Sequence, residues 1–138
     1  MESTLLLGVL TNREFEFVEV TNAHASYGLY QAKQISSDDT VLVFTGRRGH
    51  LKVSNEGTYS AGQTYRMLSE VLHDSVPGAG LVATYMRKTT TYADYRPLIA
   101  VPLNVEPDNE FRRETEDAEF LWDFIRRVTE RLEMRVAA

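Results

Sequence analysis

The chain contains no cysteine, which removes disulfide frameworks, zinc–thiolate sites and thiol nucleophiles from consideration. That absence is compatible with a reducing compartment. Long apolar runs are missing too: no stretch approaches the roughly 20 apolar residues that span a bilayer. Met1-Glu2-Ser3-Thr4 has neither the basic start nor the apolar body of a secretory leader. These absences set the expectation of a soluble, cytoplasmic protein with no membrane partner. Basic charge is in deficit, with 15 Lys and Arg against 20 Asp and Glu and a net charge of −5. A bulk field of that sign opposes non-specific nucleic-acid binding. The deficit is uneven: residues 1–40 hold two bases and six acids, residues 41–99 seven and four, and residues 100–138 six and ten. A locally basic middle therefore survives.

What is present fits one domain. A chain of 138 residues can bury a core of its own. The clearest signal is a long helix from Pro107 to Val136, with Asp108 or Asn109 as its cap. Ala118, Leu121, Ile125, Val128 and Leu132 step by three and four, one apolar seam on one face. Acids stand early and arginines late, which suits the helix dipole, and Asp123 and Arg127 are spaced for an i,i+4 ion pair. Phe120, Trp122 and Phe124 widen the apolar arc beyond the seam. A broad core face explains such an arc, and so does contact with another chain, where aromatics concentrate.

Upstream, Thr4 to Leu10 reads as a buried strand and Glu14 to Val20 as an alternating one, with Thr11-Asn12 turning between them and a bulge at Phe17-Val18. Residues 21–35 lean to helix on Ala25, Leu29 and Ala32, although Tyr27, Leu29 and Gln31 also alternate as a strand would. Val41 to Phe44 and His50 to Ser54 form strands joined by a tight turn at Gly46-Arg47-Arg48-Gly49, and Asn55-Glu56-Gly57 turns again. Ser60-Ala61-Gly62-Gln63 fits a capping box, followed by a helix with Ala61, Tyr65, Leu68 and Leu72 on its buried face. Leu81 to Met86 and Leu98 to Val105 read as a long hairpin whose second strand, with Pro97 before it and Pro102 within it, lies at an edge or is limited at its ends. The expected fold is α+β: a mainly antiparallel sheet of about five to seven short strands, two or three helices, and the C-terminal helix packed on the sheet.

Chemistry is thinly marked. His24, His50 and His73 have no metal-ligand spacing, and His73-Asp74-Ser75 places consecutive residues at a helix end, where a catalytic triad does not assemble. Glu14 and Glu16 share a strand face that a solvated edge explains. Two basic tips stand out: Arg47, Arg48 and Lys52 on one hairpin, and Arg87, Lys88 and Arg96 with Tyr92 and Tyr95 on the other. Brought together, they would hold phosphates and stack bases. Seven tyrosines favour wet contact surfaces over catalysis.

From Ser60 onward the order of helix, hairpin and acidic-to-basic helix, with Leu98-Ile99-Ala100-Val101-Pro102-Leu103 and Phe120-Leu121-Trp122-Asp123-Phe124-Ile125, resembles type III secretion chaperones and their cytosolic relatives. The resemblance implies a homodimer that holds an extended partner segment and needs no cofactor. The sequence thus points first to a non-enzymatic interaction module anchored by Phe120, Trp122 and Phe124. A nucleic-acid or phosphate-ligand binder is the alternative, and a small hydrolase comes third.

Overall fold

The computed structural model describes residues 1–21, 24–36, 39–68, 70–87, 97–106, 110–112 and 117–136. They form nine strands and one helix: β1 Glu2–Leu7, β2 Val9–Glu19, β3 Tyr27–Gln34, β4 Asp39–Ser60, β5 Thr64–Arg66, β6 Leu72–Pro77, β7 Ala83–Arg87, β8 Leu98–Pro102, β9 Glu110–Arg112 and α1 Ala118–Val136. All pairings are antiparallel. A three-stranded sheet runs β5-β1-β7; a six-stranded one runs β6-β2-β4-β3-β8, with β9 added to β4. The architecture is mostly antiparallel β with a single C-terminal helix, which corrects the two or three helices expected.

β4 is the spine. Thr40 and Val41 pair with Gln34 and Lys33 of β3 and also with Phe111 and Glu110 of β9, so β3 and β9 flank β4 on opposite edges. Its second half, from Gly49 to Ser60, pairs with β2. The Gly46–Gly49 and Asn55–Gly57 segments, expected as turns, lie inside this one strand. Gly46, at φ 83°, makes a bulge opposite Leu29, where Thr45 Oγ1 donates to the Leu29 carbonyl at 2.7 Å. Gly49 sits where β2 and β3 both reach β4, and a Cβ there would overlap the Val18 carbonyl. Gly49 serves close approach and Gly46 a positive φ in open space, and neither reverses the chain. The bulge expected at Phe17-Val18 is instead at Glu14/Phe15, with Ser54 as the extra residue on β4.

Among the chain's passages between the two sheets are those from β1 to β2, from β4 to β5 and from β6 to β7. The break between β1 and β2 is Gly8, at φ 79°, rather than Thr11-Asn12, and the two strands belong to different sheets instead of forming a hairpin. β4 turns into β5 through Ala61-Gly62, where Gly62 N–H donates to the Leu5 carbonyl and Leu5 N–H to the Gln63 carbonyl. β6 passes to β7 through residues 78–82, where Gly78 N–H donates to the Val9 carbonyl. Leu5, Leu10, Tyr65 and Met67 form the core across this corner, with Met1, Tyr59 and Val82 against them.

The helix expected after Ser60 is absent. Tyr65 and Met67 are buried while Thr64, Arg66 and Leu68 are exposed, a period of two that pairing with β1 rewards. Gln63 Oε1 still accepts from Ser60 N–H at 2.6 Å, the back-reaching bond of a capping box, but Gln63 N–H returns to the Ser60 carbonyl and closes a turn. Residues 27–34 are strand β3, held on both sides by β4 and β8, which overturns the helical reading there. β7 pairs with β1 and β8 with β3, so they are not hairpin partners. β8 is an edge strand. The tip expected at Thr89 to Asp94 lies outside the described residues.

Candidate interaction surface

α1 starts at Ala118, eleven residues later than the sequence pattern places it. Asp117 is its cap: Oδ1 accepts from Glu119 N–H at 2.6 Å, and its carbonyl accepts from Leu121 N–H at 3.1 Å. Asp123 meets Arg126 at 3.5 Å rather than Arg127. The helix is not laid across a sheet. It meets its own body at β1 and at the glycine corner, where Arg131 and Met134 border a cavity of about 680 Å³ with Leu7, Gly8, Ala61 and Leu81.

This attachment divides the seam. Val128 and Leu132, in the late half, are half-buried. Leu121 and Ile125, in the early half of the same stripe, are 45% and 48% exposed. Side chains turn about 100° per residue around a helix. Trp122, 64% exposed, therefore extends the uncovered stripe on one flank, with Ala118 and Thr129 beside it. Phe120, 59% exposed, stands about 160° away from Trp122. Phe124 is half-buried on the body side. The three aromatics named from sequence do not share one face; the uncovered surface is Leu121, Trp122 and Ile125. The sequence put Leu121 and Ile125 on the apolar seam without separating them from Val128 and Leu132, because periodicity reports a stripe and not how far along it the body reaches.

The basic residues fall into separate sets. Arg47 Nε donates to Glu19 Oε2 at 2.8 Å, and its guanidinium lies 5.5 Å from the Phe17 ring centre. Arg48 lies over Phe44 at 5.8 Å, and Lys52 faces Glu16 across the β2–β4 ladder. These side chains belong to the middle of a long strand, not to a hairpin tip. Arg87 is on β7, in the other sheet, where it and Arg66 donate to the two oxygens of Glu2 at 3.0 and 2.9 Å. The Arg66 hydrogen bond, aided by the charge of Arg87, holds the Glu2 carboxyl below the usual carboxylate range. Lys88 and Arg96 lie outside the described residues.

His73-Asp74-Ser75 is strand β6, not a helix end, and its side chains go three ways. His73 Nδ1 lies 3.1 Å from the Val71 carbonyl, Asp74 pairs with Arg13, and Ser75 Oγ donates to Asn12 Oδ1 at 3.1 Å. His50 Nδ1 lies 3.2 Å from Ser26 Oγ, and Glu14 accepts from Asn55 at 3.4 Å. Among the described residues no three of His, Asp and Glu gather to hold a metal. A cleft of about 640 Å³ opens between β6 and β8, with Arg13, Phe15, Tyr27, Leu51, Leu72 and Leu98 among its walls. Its walls come from distant parts of the chain, and no local motif announces it.

Among the described residues, no helix is long and apolar enough to cross a membrane. The helix and hairpin expected from Ser60 onward are not found: the described residues between 60 and 77 contain no helix, and β7 and β8 lie in different sheets. Comparison with protein-family models, with curated proteins and with solved structures gives no match to this chain.

Proposed function

We propose that this protein is a non-enzymatic protein-interaction module and that the early half of α1 is its contact surface. The observation that carries the reading is the divided seam. Leu121, Trp122 and Ile125 are exposed on a helix whose later residues in the same stripe, Val128 and Leu132, are half-buried. Contiguous apolar surface of this kind marks sites of association, and a tryptophan centred in it is the residue type that most often dominates binding.

The test is affinity capture with the full chain as bait, comparing the natural protein with Trp122→Ala. Loss of a hot-spot tryptophan costs about 2 kcal/mol or more, roughly thirtyfold in affinity. A stoichiometric protein, another chain or a further copy of this one, is retained by the natural protein and lost with the variant, while circular dichroism stays unchanged. If the natural protein retains nothing, or the variant retains as much, the reading fails.

A further inference from the structure

We infer that the occupant of the uncovered α1 stripe is a second copy of this chain, its helix antiparallel to the first about a two-fold axis near Trp122. The inference rests on the reading of α1 as the contact surface and names the partner.

Charge selects the second copy. Asp117, Glu119 and Asp123 occupy the early part of the helical segment, with no base before Arg126; Arg126, Arg127, Arg131 and Arg135 follow, outnumbering Glu130 and Glu133 in the later part. An antiparallel pair sets the acidic start of each helix against the basic stretch of the other, and opposes the two helix dipoles. Glu119 and Arg126 are seven residues apart and share one flank of the stripe, with Trp122 between them. In a two-fold pair the same patch serves on both sides. Glu119 of each copy therefore meets Arg126 of the other, and the contact is made twice. Both side chains are free to turn outward: Arg126 is 70% exposed and held only by the 3.5 Å contact with Asp123.

Charge reversal on the full chain tests this. Association is followed by light scattering and sedimentation, and by the emission of Trp122, the single tryptophan of the sequence. The natural protein is expected to be a dimer whose emission moves to shorter wavelength as concentration rises. Glu119→Arg and Arg126→Glu each place like charges together twice and raise the dimer Kd by about tenfold or more. An equimolar mixture of the two variants restores the affinity as a one-to-one heterodimer, because every contact is again between opposite charges. Circular dichroism of each variant establishes that it is folded. A natural protein that stays monomeric at several hundred micromolar overturns the inference, as does a mixture that fails to recover. A monomer that still captures another protein through Trp122 overturns this inference alone and leaves α1 as a contact surface; a monomer that captures nothing removes both.

Discussion

Arg13 and Asp74 face each other directly across the β2–β6 ladder and are joined by two hydrogen bonds, Nε to Oδ1 at 2.9 Å and Nη2 to Oδ2 at 2.5 Å. The planar guanidinium fork matches the carboxylate, which makes this the best-formed of the described ion pairs. The Asp74 hydrogen bond and charge push the Arg13 pKa further up. β6 is an edge strand, so this pair fastens the rim of the six-stranded sheet.

A double-mutant cycle measures that fastening. Arg13→Ala and Asp74→Ala are each expected to lower the urea midpoint, and the double variant to lose less than the sum of the two. Additive losses would mean the pair contributes nothing beyond its separate side chains. Raising salt to about 1 M should shrink the coupling, since both groups reach solvent.

Acid should weaken the three-stranded sheet through Glu2. Its carboxyl is more acidic in the folded protein than in the unfolded chain, chiefly because Arg66 hydrogen-bonds the charged form. The stability it contributes is complete above the unfolded carboxylate pKa, about 4.3 for Glu, and disappears as pH falls through the lower folded value. Thermal melts from about pH 7 to pH 2.5 should show Glu2→Gln less stable than the natural protein at neutral pH, with the difference closing in acid. A difference that persists unchanged to the lowest pH would refute the linkage.

Gly8 is where the chain leaves one sheet for the other, and Gly8→Ala is expected to cost about 1–3 kcal/mol in urea unfolding. Two effects combine. The residue keeps φ 79°, which side chains resist, and the added Cβ would lie 2.7 Å from the Leu81 carbonyl oxygen and 2.9 Å from Val82 Cγ2. Gly62→Ala has open space around its Cβ and bears the backbone penalty alone, so it should cost less.

Asp117→Ala removes the cap of α1 and should cost about 0.5–2 kcal/mol of helix stability. Much of the early helix lacks support from the body, so the loss should show as reduced helical circular dichroism at 25 °C rather than as a lower global midpoint. Asp117→Asn keeps an acceptor and should retain most of the helicity.

Local chemistry was legible in the sequence where it did not depend on distant partners. Gln63 does reach back to Ser60 N–H, as the capping pattern requires, and the seam from Ala118 to Leu132 does lie on a helix. The continuation after Gln63 was not legible. Leu68 fits a helical stripe with Tyr65 and Leu72, but it is 77% exposed, and the structure follows the alternation of Tyr65 and Met67 because β1 offers a ladder some 60 residues away. The same blindness joined β7 to β8: both runs are strands, yet each pairs with a segment no local pattern names. At the candidate surface the aromatic excess was visible, and the sorting of Phe120, Trp122 and Phe124 onto different sides was not used. That sorting needs only the helical repeat, but what the body covers needs the fold.

The placement of β1 has a consequence for synthesis. Its two partners are β5 and β7, so β1, once made, waits for residues 83–87 before its second edge is filled. At roughly 5–20 residues per second that wait is about 4–15 s. Throughout it, Leu5 and Leu7 have no completed sheet to enter. The exposure of β1 is therefore set by the time taken to reach β7, and slow translation before residue 83 lengthens it.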